Sequence, residues 1–348
     1  MELFSDIPIA SSRAQESLHA WRTAFPTQPG NWERGAAANC NCSAGNDGGV
    51  CDIGLERNDY SLWLELAEDC NLDCVFCYNP WRPGSWKSKP LDAEKYFRVV
   101  NSIISKLKFR HVTLSGGEPL MYPLLPELLA LIRSRGCESI GMTTNGRSMT
   151  RGRLKALTTA GLTHMSVPVH SHQPAVHDRL ANGRSWTSAV RALALGVEYG
   201  ITTTMSCVVT SVNTHHIGQV VAIAQQLGLH AIILNCIHAT GQGSGRSDLC
   251  VPQQDFENLV MQAQRAFTED GKVLVGSPPP DQRGRKSRID RIVLSPFGDV
   301  KLCNQSREGV FNVSKSPDTL TSFLAAMKAG SHADFLERVD NCSCHGTV

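Results

Sequence analysis

The sequence predicts an α/β fold in which parallel strands alternate with covering helices, closed into a barrel or partial barrel; an open doubly wound sheet fits the same pattern. Three observations predict it. Short strand-like apolar runs recur from Ser61 onward, with helix-like segments between them. Four of those segments stop at a glycine (Gly136, Gly161, Gly200, Gly228), the residue that most readily takes the left-handed conformation ending a helix. The runs repeat at steps of about 25 to 50 residues, the room a strand-helix crossover needs to bring the next strand in parallel.

In order, residues 1–58 have weak periodicity: a candidate helix at Ser12 to Ala24, then a Pro/Gly/Asn-rich stretch holding Cys40, Cys42 and Cys51. Strands are expected near 61–66, 111–115, 139–144, 163–169, 201–209 and 230–236. The clearest helix runs from Asp92 to Lys108, where Leu91, Tyr96, Val99, Val100, Ile103, Ile104 and Leu107 recur at helical spacing behind an Asp N-cap. Further helices are expected at Leu124 to Arg135, Arg153 to Ala160, Trp186 to Tyr199, Val220 to Leu227 and Pro252 to Phe267. Pro278 to Arg288 reads as a linker, and RIVLSPFGDVKLC as two short strands around Phe297-Gly298-Asp299, closed by Cys303. The expected organisation is an N-terminal extension (1–58), a strand-helix domain (59–245), a helix and linker (246–288) and a cysteine-containing C-terminal domain (289–348).

Composition narrows the function. With 348 residues and 41% hydrophobic content the chain can bury a large core, and a formal charge of +2 offers no basic stripe for nucleic acid. No apolar run approaches membrane-spanning length and the N-terminus lacks a signal pattern, so a cytoplasmic location with no membrane partner is expected. Thirteen cysteines are many for a compartment where disulfides are rare, which points to metal or cluster binding.

The chemistry centres on Cys70-Asn71-Leu72-Asp73-Cys74-Val75-Phe76-Cys77, directly after the first strand. Structural zinc wants four ligands and nothing nearby completes them, whereas iron-sulfur clusters are held by thiolates, and three protein ligands leave one iron of a cubane for another molecule. The second strand runs into Ser115-Gly116-Gly117-Glu118-Pro119, whose glycines permit close backbone approach or positive φ, and the third into Thr143-Thr144-Asn145-Gly146.

These three loops, at these intervals, resemble the radical S-adenosylmethionine (SAM) superfamily over roughly residues 60–240. The resemblance implies a partial (β/α)6 TIM-type barrel with a small cysteine-containing β-hairpin/helix extension. It implies a [4Fe-4S] cluster on Cys70, Cys74 and Cys77, and SAM chelated at the free iron. Phe76 would lie near the adenine, Gly116, Gly117 and Glu118 would hold the methionine amino group, and Thr144 and Asn145 would line the SAM pocket. It also implies a one-electron reductant such as flavodoxin or ferredoxin. The fourth strand departs from the family's usual VSLD-like segment: Pro168 and His170 stand there, leaving Ser166, Ser171 and His170 as candidate contacts, with His170 a candidate acid or base in the substrate cavity. A metal site on His170, His172 and His177 is the weaker reading of those histidines. Gly241 to Arg246 reads as a loop closing the cavity, because it lacks the ending of a phosphate-binding loop.

The step from Gly298 to Cys303, with Cys342 and Cys344 following, resembles the auxiliary-cluster extensions called SPASM and twitch domains. It implies an auxiliary iron-sulfur cluster on Cys303, Cys342 and Cys344, with Cys250, an N-terminal cysteine or the substrate as fourth ligand. Cys137, Cys207 and Cys236 are expected to pack in the core. The expected function is a radical SAM oxidoreductase that modifies a peptide, with a small metabolite or antibiotic precursor as the alternative substrate. A non-enzymatic iron-sulfur redox protein is the competing reading from another class.

Overall fold

The computed structural model describes residues 61–82, 89–267, 272–277, 291–301, 304 and 309–313. Cys40, Cys42, Cys51, Cys303, Cys342 and Cys344, and with them the expectations made for the N-terminal extension and the auxiliary cluster, lie outside the described residues.

Seven strands, β1 (Ser61–Glu65), β2 (His111–Ser115), β3 (Ser139–Thr143), β4 (His164–Pro168), β5 (Thr202–Val208), β6 (Ala231–Asn235) and β7 (Lys272–Ser277), lie side by side in chain order. Each pairs in parallel with the next. A doubly wound sheet needs a point where strand order reverses. With none here, crossovers of one hand put the helices on a single face, and the sheet is a singly wound partial barrel. After β7 the chain returns to the opposite side: β8 (Arg291–Leu294) pairs in parallel with β1, and β9 (Asp299–Lys301) and β10 (Phe311–Asn312) continue the sheet antiparallel. The sequence did not disclose that the C-terminal strands extend the barrel sheet itself.

The helices are α1 (Ala93–Lys106), α2 (Leu125–Ser134), α3 (Arg151–Ala160), α4 (Pro174–Ala181), α5 (Trp186–Glu198), α6 (Ile217–Gln226) and α7 (Gln253–Ala266). In α1 the Asp92 carboxylate accepts from Lys95 N (2.7 Å), and Tyr96, Val99, Val100, Ile103 and Ile104 form the buried face. Full burial of such a side chain stabilises by about 1.5–3 kcal/mol. The Tyr96 hydroxyl donates to Leu294 O (3.1 Å), fastening α1 to β8. The four expected glycine stops all take positive φ. Sequence reasoning missed α4, an eight-residue helix with an irregular apolar pattern that buries His177, Leu180 and Ala181, and it missed β7.

Strand alternation sorts the two faces of the sheet. A Cβ added at Gly196 of α5 would lie 2.4 Å from Thr203 Oγ1 and 2.9 Å from Met165 Cε, so those residues face the helices. A Cβ added at Gly141 would lie 3.4 Å from His111 Cε1 and 3.7 Å from His164 Cβ, so these share the concave face. The same parity places Thr113, Ser115, Ser139, Ser166, Thr202 and Thr204 on the concave side. That face is polar and mostly buried, while Leu62, Leu114, Ile140 and Met165 on the other face build the core beneath the helices. Among the described residues no helix is long and apolar enough to cross a membrane.

Candidate metal centre and cofactor site

The cysteine loop leaves the C-terminal end of β1, where parallel α/β folds gather their functional groups. Leu66 N donates to Ser115 O (2.9 Å), carrying the β1–β2 pairing one step past the strands. Within the loop Cys77 N donates to Cys74 O (3.0 Å), and Val75 N donates to Leu180 O of α4 (3.1 Å). Arg82 closes the loop from beneath, its guanidinium donating to Leu72 O (2.7 Å) and to the Asp73 carboxylate (2.8 Å). A further clamp comes from the glycine tract after β6. Its residues Gly241–Gly243 form a 3-10 turn in which Gly241 (φ +59°) and Gly243 are buried, and Gln242 N donates to Cys77 O (2.7 Å). A Cβ at Gly241 would lie 2.3 Å from Cys77 O, so these glycines serve close packing on the cysteine loop, where a loose cavity-closing loop was expected.

Cys70, Cys74 and Cys77 are each partly exposed. Burial pushes the Cys77 thiol up to about 11 and raises those of Cys74 and Cys70 as well; for Cys74 the neighbouring Cys77 and Cys70 add to it. All three are therefore neutral thiols until a cationic centre displaces their protons. Among the described residues no group of three His, Cys, Asp or Glu closes around a single ion. A cubane does not ask for that, since each of its thiolate ligands binds a different iron. The donor set fits three irons of a [4Fe-4S] cluster.

The second loop packs against the first. Gly117 N donates to Ala67 O (2.7 Å) and Glu118 N to Asp69 O (2.9 Å). A Cβ at Gly117 would stand 2.0 Å from Asp69 O, and Gly116 (φ +113°) would meet Ala67 O at 2.8 Å. Both glycines are thus demanded by backbone contact with the cysteine loop. Asn79 adds a return contact from its Nδ2 to Gly116 O (2.7 Å), and its Oδ1 is buried without a hydrogen-bond partner. An orphaned acceptor costs about 1–3 kcal/mol, so it marks a place for a donor beside Gly116.

Glu118 joins the second loop to the third. Its buried carboxylate accepts from the Thr144 hydroxyl (2.5 Å), Asn145 N (2.8 Å) and Leu120 N (3.0 Å). Burial raises its pKa against the pull of these donors. Thr144 Oγ1 also accepts from Gly146 N (3.1 Å), and Thr144 N donates to Ser166 O (3.0 Å) on β4. Asn145 Nδ2 donates to Asn71 Oδ1 (2.7 Å) and to Cys70 Sγ (3.7 Å). Gly116, Gly117 and Glu118 are thus set against the segment Ala67–Asp69, Glu118 is bonded to Thr144 and Asn145, Thr144 N reaches the backbone oxygen of Ser166, and of these residues Asn145 is the one that contacts Cys70.

Phe76 is buried and meets His170 edge-on, with ring centroids 4.9 Å apart. His170 Nδ1 accepts from Val208 N (3.3 Å), which puts the ring proton on Nε2. Burial holds His170 well below the usual histidine range, so it is neutral. It stacks on His177 (5.3 Å), whereas His172 meets His216 (4.7 Å). The three histidines near this strand end do not converge on one point. Ser171 Oγ is engaged by His216 Nδ1 (2.5 Å). Cys250, half-buried after a 3-10 turn at Ser247–Leu249, turns its thiol to Arg246 O (3.6 Å). Cys137 and Cys207 are buried in the core and Cys236 packs against it, as the sequence indicated.

Sequence reasoning missed the polar cluster beside the loop. Lys301 Nζ on β9 lies 2.8 Å from Glu65 Oε2 on β1, both essentially unexposed, and stands 5.3 Å from the Trp81 ring. Asn304 Nδ2 donates to the hydroxyl of Tyr78, the residue after Cys77 (3.3 Å). A glutamate ending an apolar strand is a signal that could have found Glu65. Its partner required the β8–β9 pairing.

The family model described as Radical SAM superfamily matches residues 64–223. A probable GTP 3',8-cyclase of Aeropyrum pernix is 27% identical over 52% of this chain and 52% of its own length. A PqqA peptide cyclase of Methylocella silvestris is 27% identical over 71% of this chain and 68% of its own. The chain thus spans about half of the first relative and about two thirds of the second. Among solved structures, Streptococcus suis SuiB superposes with a TM-score of 0.60 both with S-adenosylmethionine and with precursor peptide SuiA bound. Identity is 13% and 14%, covering 75% and 78% of this chain and 65% and 66% of SuiB. That likeness is one of fold.

Proposed function

Residues 64–223 make this chain a member of the radical SAM superfamily, and from that premise we propose that it is a radical SAM enzyme modifying a peptide. The observation that carries the reading is the three-thiol loop of Cys70, Cys74 and Cys77, cross-braced by Glu118 to the loops after β2 and β3. When bound, the cluster and SAM supply a hydrogen-abstracting radical by one-electron reductive cleavage of the sulfonium, the electron coming from a reductant such as flavodoxin or ferredoxin.

The chain's own residues do the rest. Cys70, Cys74 and Cys77 would hold three irons, and the orphaned Asn79 Oδ1 beside Gly116 would offer an acceptor to the SAM amino group. Phe76, braced by His170, would back the adenine. The concave face of hydroxyls offers hydrogen bonds to a polar group of a substrate. His170, neutral and with Nδ1 occupied, can exchange a proton with substrate only through Nε2. An auxiliary cluster on Cys303, Cys342 and Cys344, with Cys250 a candidate fourth ligand, would accept the substrate electron and make the outcome oxidative.

A peptide substrate is supported by the PqqA peptide cyclase relative, which matches the larger share of this chain, and by the SuiB fold. A small polar metabolite is the second reading, favoured by the GTP 3',8-cyclase relative. Anaerobic incubation of reconstituted, dithionite-reduced protein with SAM tests the enzyme reading. The expected product is 5'-deoxyadenosine, lost in Cys74→Ala. Its absence refutes the proposal and leaves an iron-sulfur carrier, and its persistence in the variant refutes the assignment of the cleavage to the Cys70, Cys74 and Cys77 loop.

A further inference from the structure

The side chain of Asn145 is held with its N–H groups towards Cys70. Asn145 Oδ1 accepts from Arg147 N (2.9 Å), which fixes which end of the amide is oxygen. The Nδ2 end then offers two hydrogens. One goes to Asn71 Oδ1 (2.7 Å), which must be an acceptor because it faces this N–H, and the other end of that amide, Asn71 Nδ2, donates to Ser148 Oγ (3.2 Å). The other faces Cys70 Sγ at 3.7 Å, within reach of an N–H···S hydrogen bond. Turning the amide over would set oxygen against oxygen at Asn71 and nitrogen against the Arg147 N–H. The backbone is pinned as well: Asn145 N donates to Glu118 Oε2 (2.8 Å), and Arg147 Nη1 donates to Asn71 O (2.6 Å). Loops from β1, β2 and β3 thus cooperate to aim one amide hydrogen at one sulfur.

We propose that Asn145 is a positioning residue that hydrogen-bonds the Cys70 thiolate of the [4Fe-4S] cluster and raises the cluster's reduction potential. The inference rests on the cluster reading above and goes beyond it, since both amide hydrogens are spent on the loop rather than on a pocket lining. Hydrogen bonds to cluster sulfurs are among the determinants of potential. The donor stabilises the reduced state more, because one-electron reduction from [4Fe-4S]2+ to [4Fe-4S]+ places extra negative charge on the sulfurs. Only the difference between oxidation states enters the potential, so the expected effect is up to about tenfold in the reduced-to-oxidised ratio, which is about 59 mV for one electron.

The test is an EPR-monitored redox titration of the reconstituted protein with dithionite, without substrate, comparing wild type with Asn145→Leu. A lower midpoint in the variant at unchanged iron content is expected, and an unchanged midpoint overturns the proposal. Wild-type protein carrying 15N-asparagine provides a measurement that needs no variant to fold. The reduced cluster should show a 15N coupling from a side-chain amide, and its absence overturns the proposal too. Failure to obtain any iron-sulfur signal from wild type would instead sink the cluster reading itself.

Discussion

Replacing Gly117 by alanine adds one methyl group at the tightest backbone contact in the site. The new Cβ would stand 2.0 Å from Asp69 O, 2.6 Å from Asp69 C and 2.8 Å from Glu68 O. All three are main-chain atoms, so no side chain can swing aside, and Gly117 does not have the left-handed φ that would strain an alanine by itself. The segment at Glu68 and Asp69 must retreat by roughly 1–1.5 Å to reach van der Waals distance. That movement breaks the Gly117 N to Ala67 O and Glu118 N to Asp69 O hydrogen bonds, each worth about 1 kcal/mol net. Overpacking adds about 1–3 kcal/mol, for a total loss of about 3–5 kcal/mol. Because Cys70 follows Asp69, the thiol set is displaced with the segment. Urea unfolding of the apoprotein and iron per chain after reconstitution report the two effects. Gly152→Ala is the control: its Cβ meets nothing within 4 Å in α3, and it should be neutral or gain about 0.5–1 kcal/mol. A Gly117→Ala protein with wild-type unfolding midpoint and full iron content would refute the account of these glycines.

Two further outcomes are expected. Lys301→Met removes the cation 2.8 Å from the unexposed Glu65 carboxylate and should cost about 3–5 kcal/mol by urea titration, whereas Glu65→Leu with Lys301→Met should recover most of it, because removing both charges removes the desolvation cost. Burial lowers His177 to about 4 and His111 to about 3. Each ring's folded value lies below the unfolded one near 6.5, so its contribution is complete above that pH and is lost as pH falls, on the order of 3 kcal/mol per ring by pH 4; His177→Gln should flatten the fall, and an unchanged slope would argue against a neutral buried ring.

Much of this arrangement was legible in the sequence because local rules and tertiary demands agree. The run from Tyr96 to Ile104 carries its buried face in its spacing, and its expected end at Lys108 was two residues long because Leu107 turns extended. Gly136, Gly161, Gly200 and Gly228 marked the helix ends, since only positive φ was needed there. The loops after β2 and β3 were placed beside the cysteine loop by strand order alone. Partnerships were not legible. Glu118 looked like a ligand-binding carboxylate, yet its oxygens hold Thr144, Asn145 and Leu120, contacts that depend on strand register. The glycines at 116 and 117 read as a backbone cradle for a ligand and the tract at 241 as a cavity-closing loop, whereas the surface they approach belongs to a loop elsewhere in the chain. The Glu65 and Lys301 pair was invisible for the same reason, and α4 was lost because eight residues give too short a period to recognise.

The position of β1 between β8 and β2 bears on how the protein is made. Ser61 lies opposite His111 on one side and Arg291 on the other. As the chain leaves the ribosome, β1 finds its first neighbour after one crossover, but its other edge stays open until the strand near Arg291 has been synthesised. Through that interval the strand bearing the cysteine loop is an edge with unpaired amides, the form of strand most prone to join another chain. Long-range pairing of this kind is also slow to form. Nascent chains halted before β8 would therefore present the cysteine loop on an aggregation-prone edge.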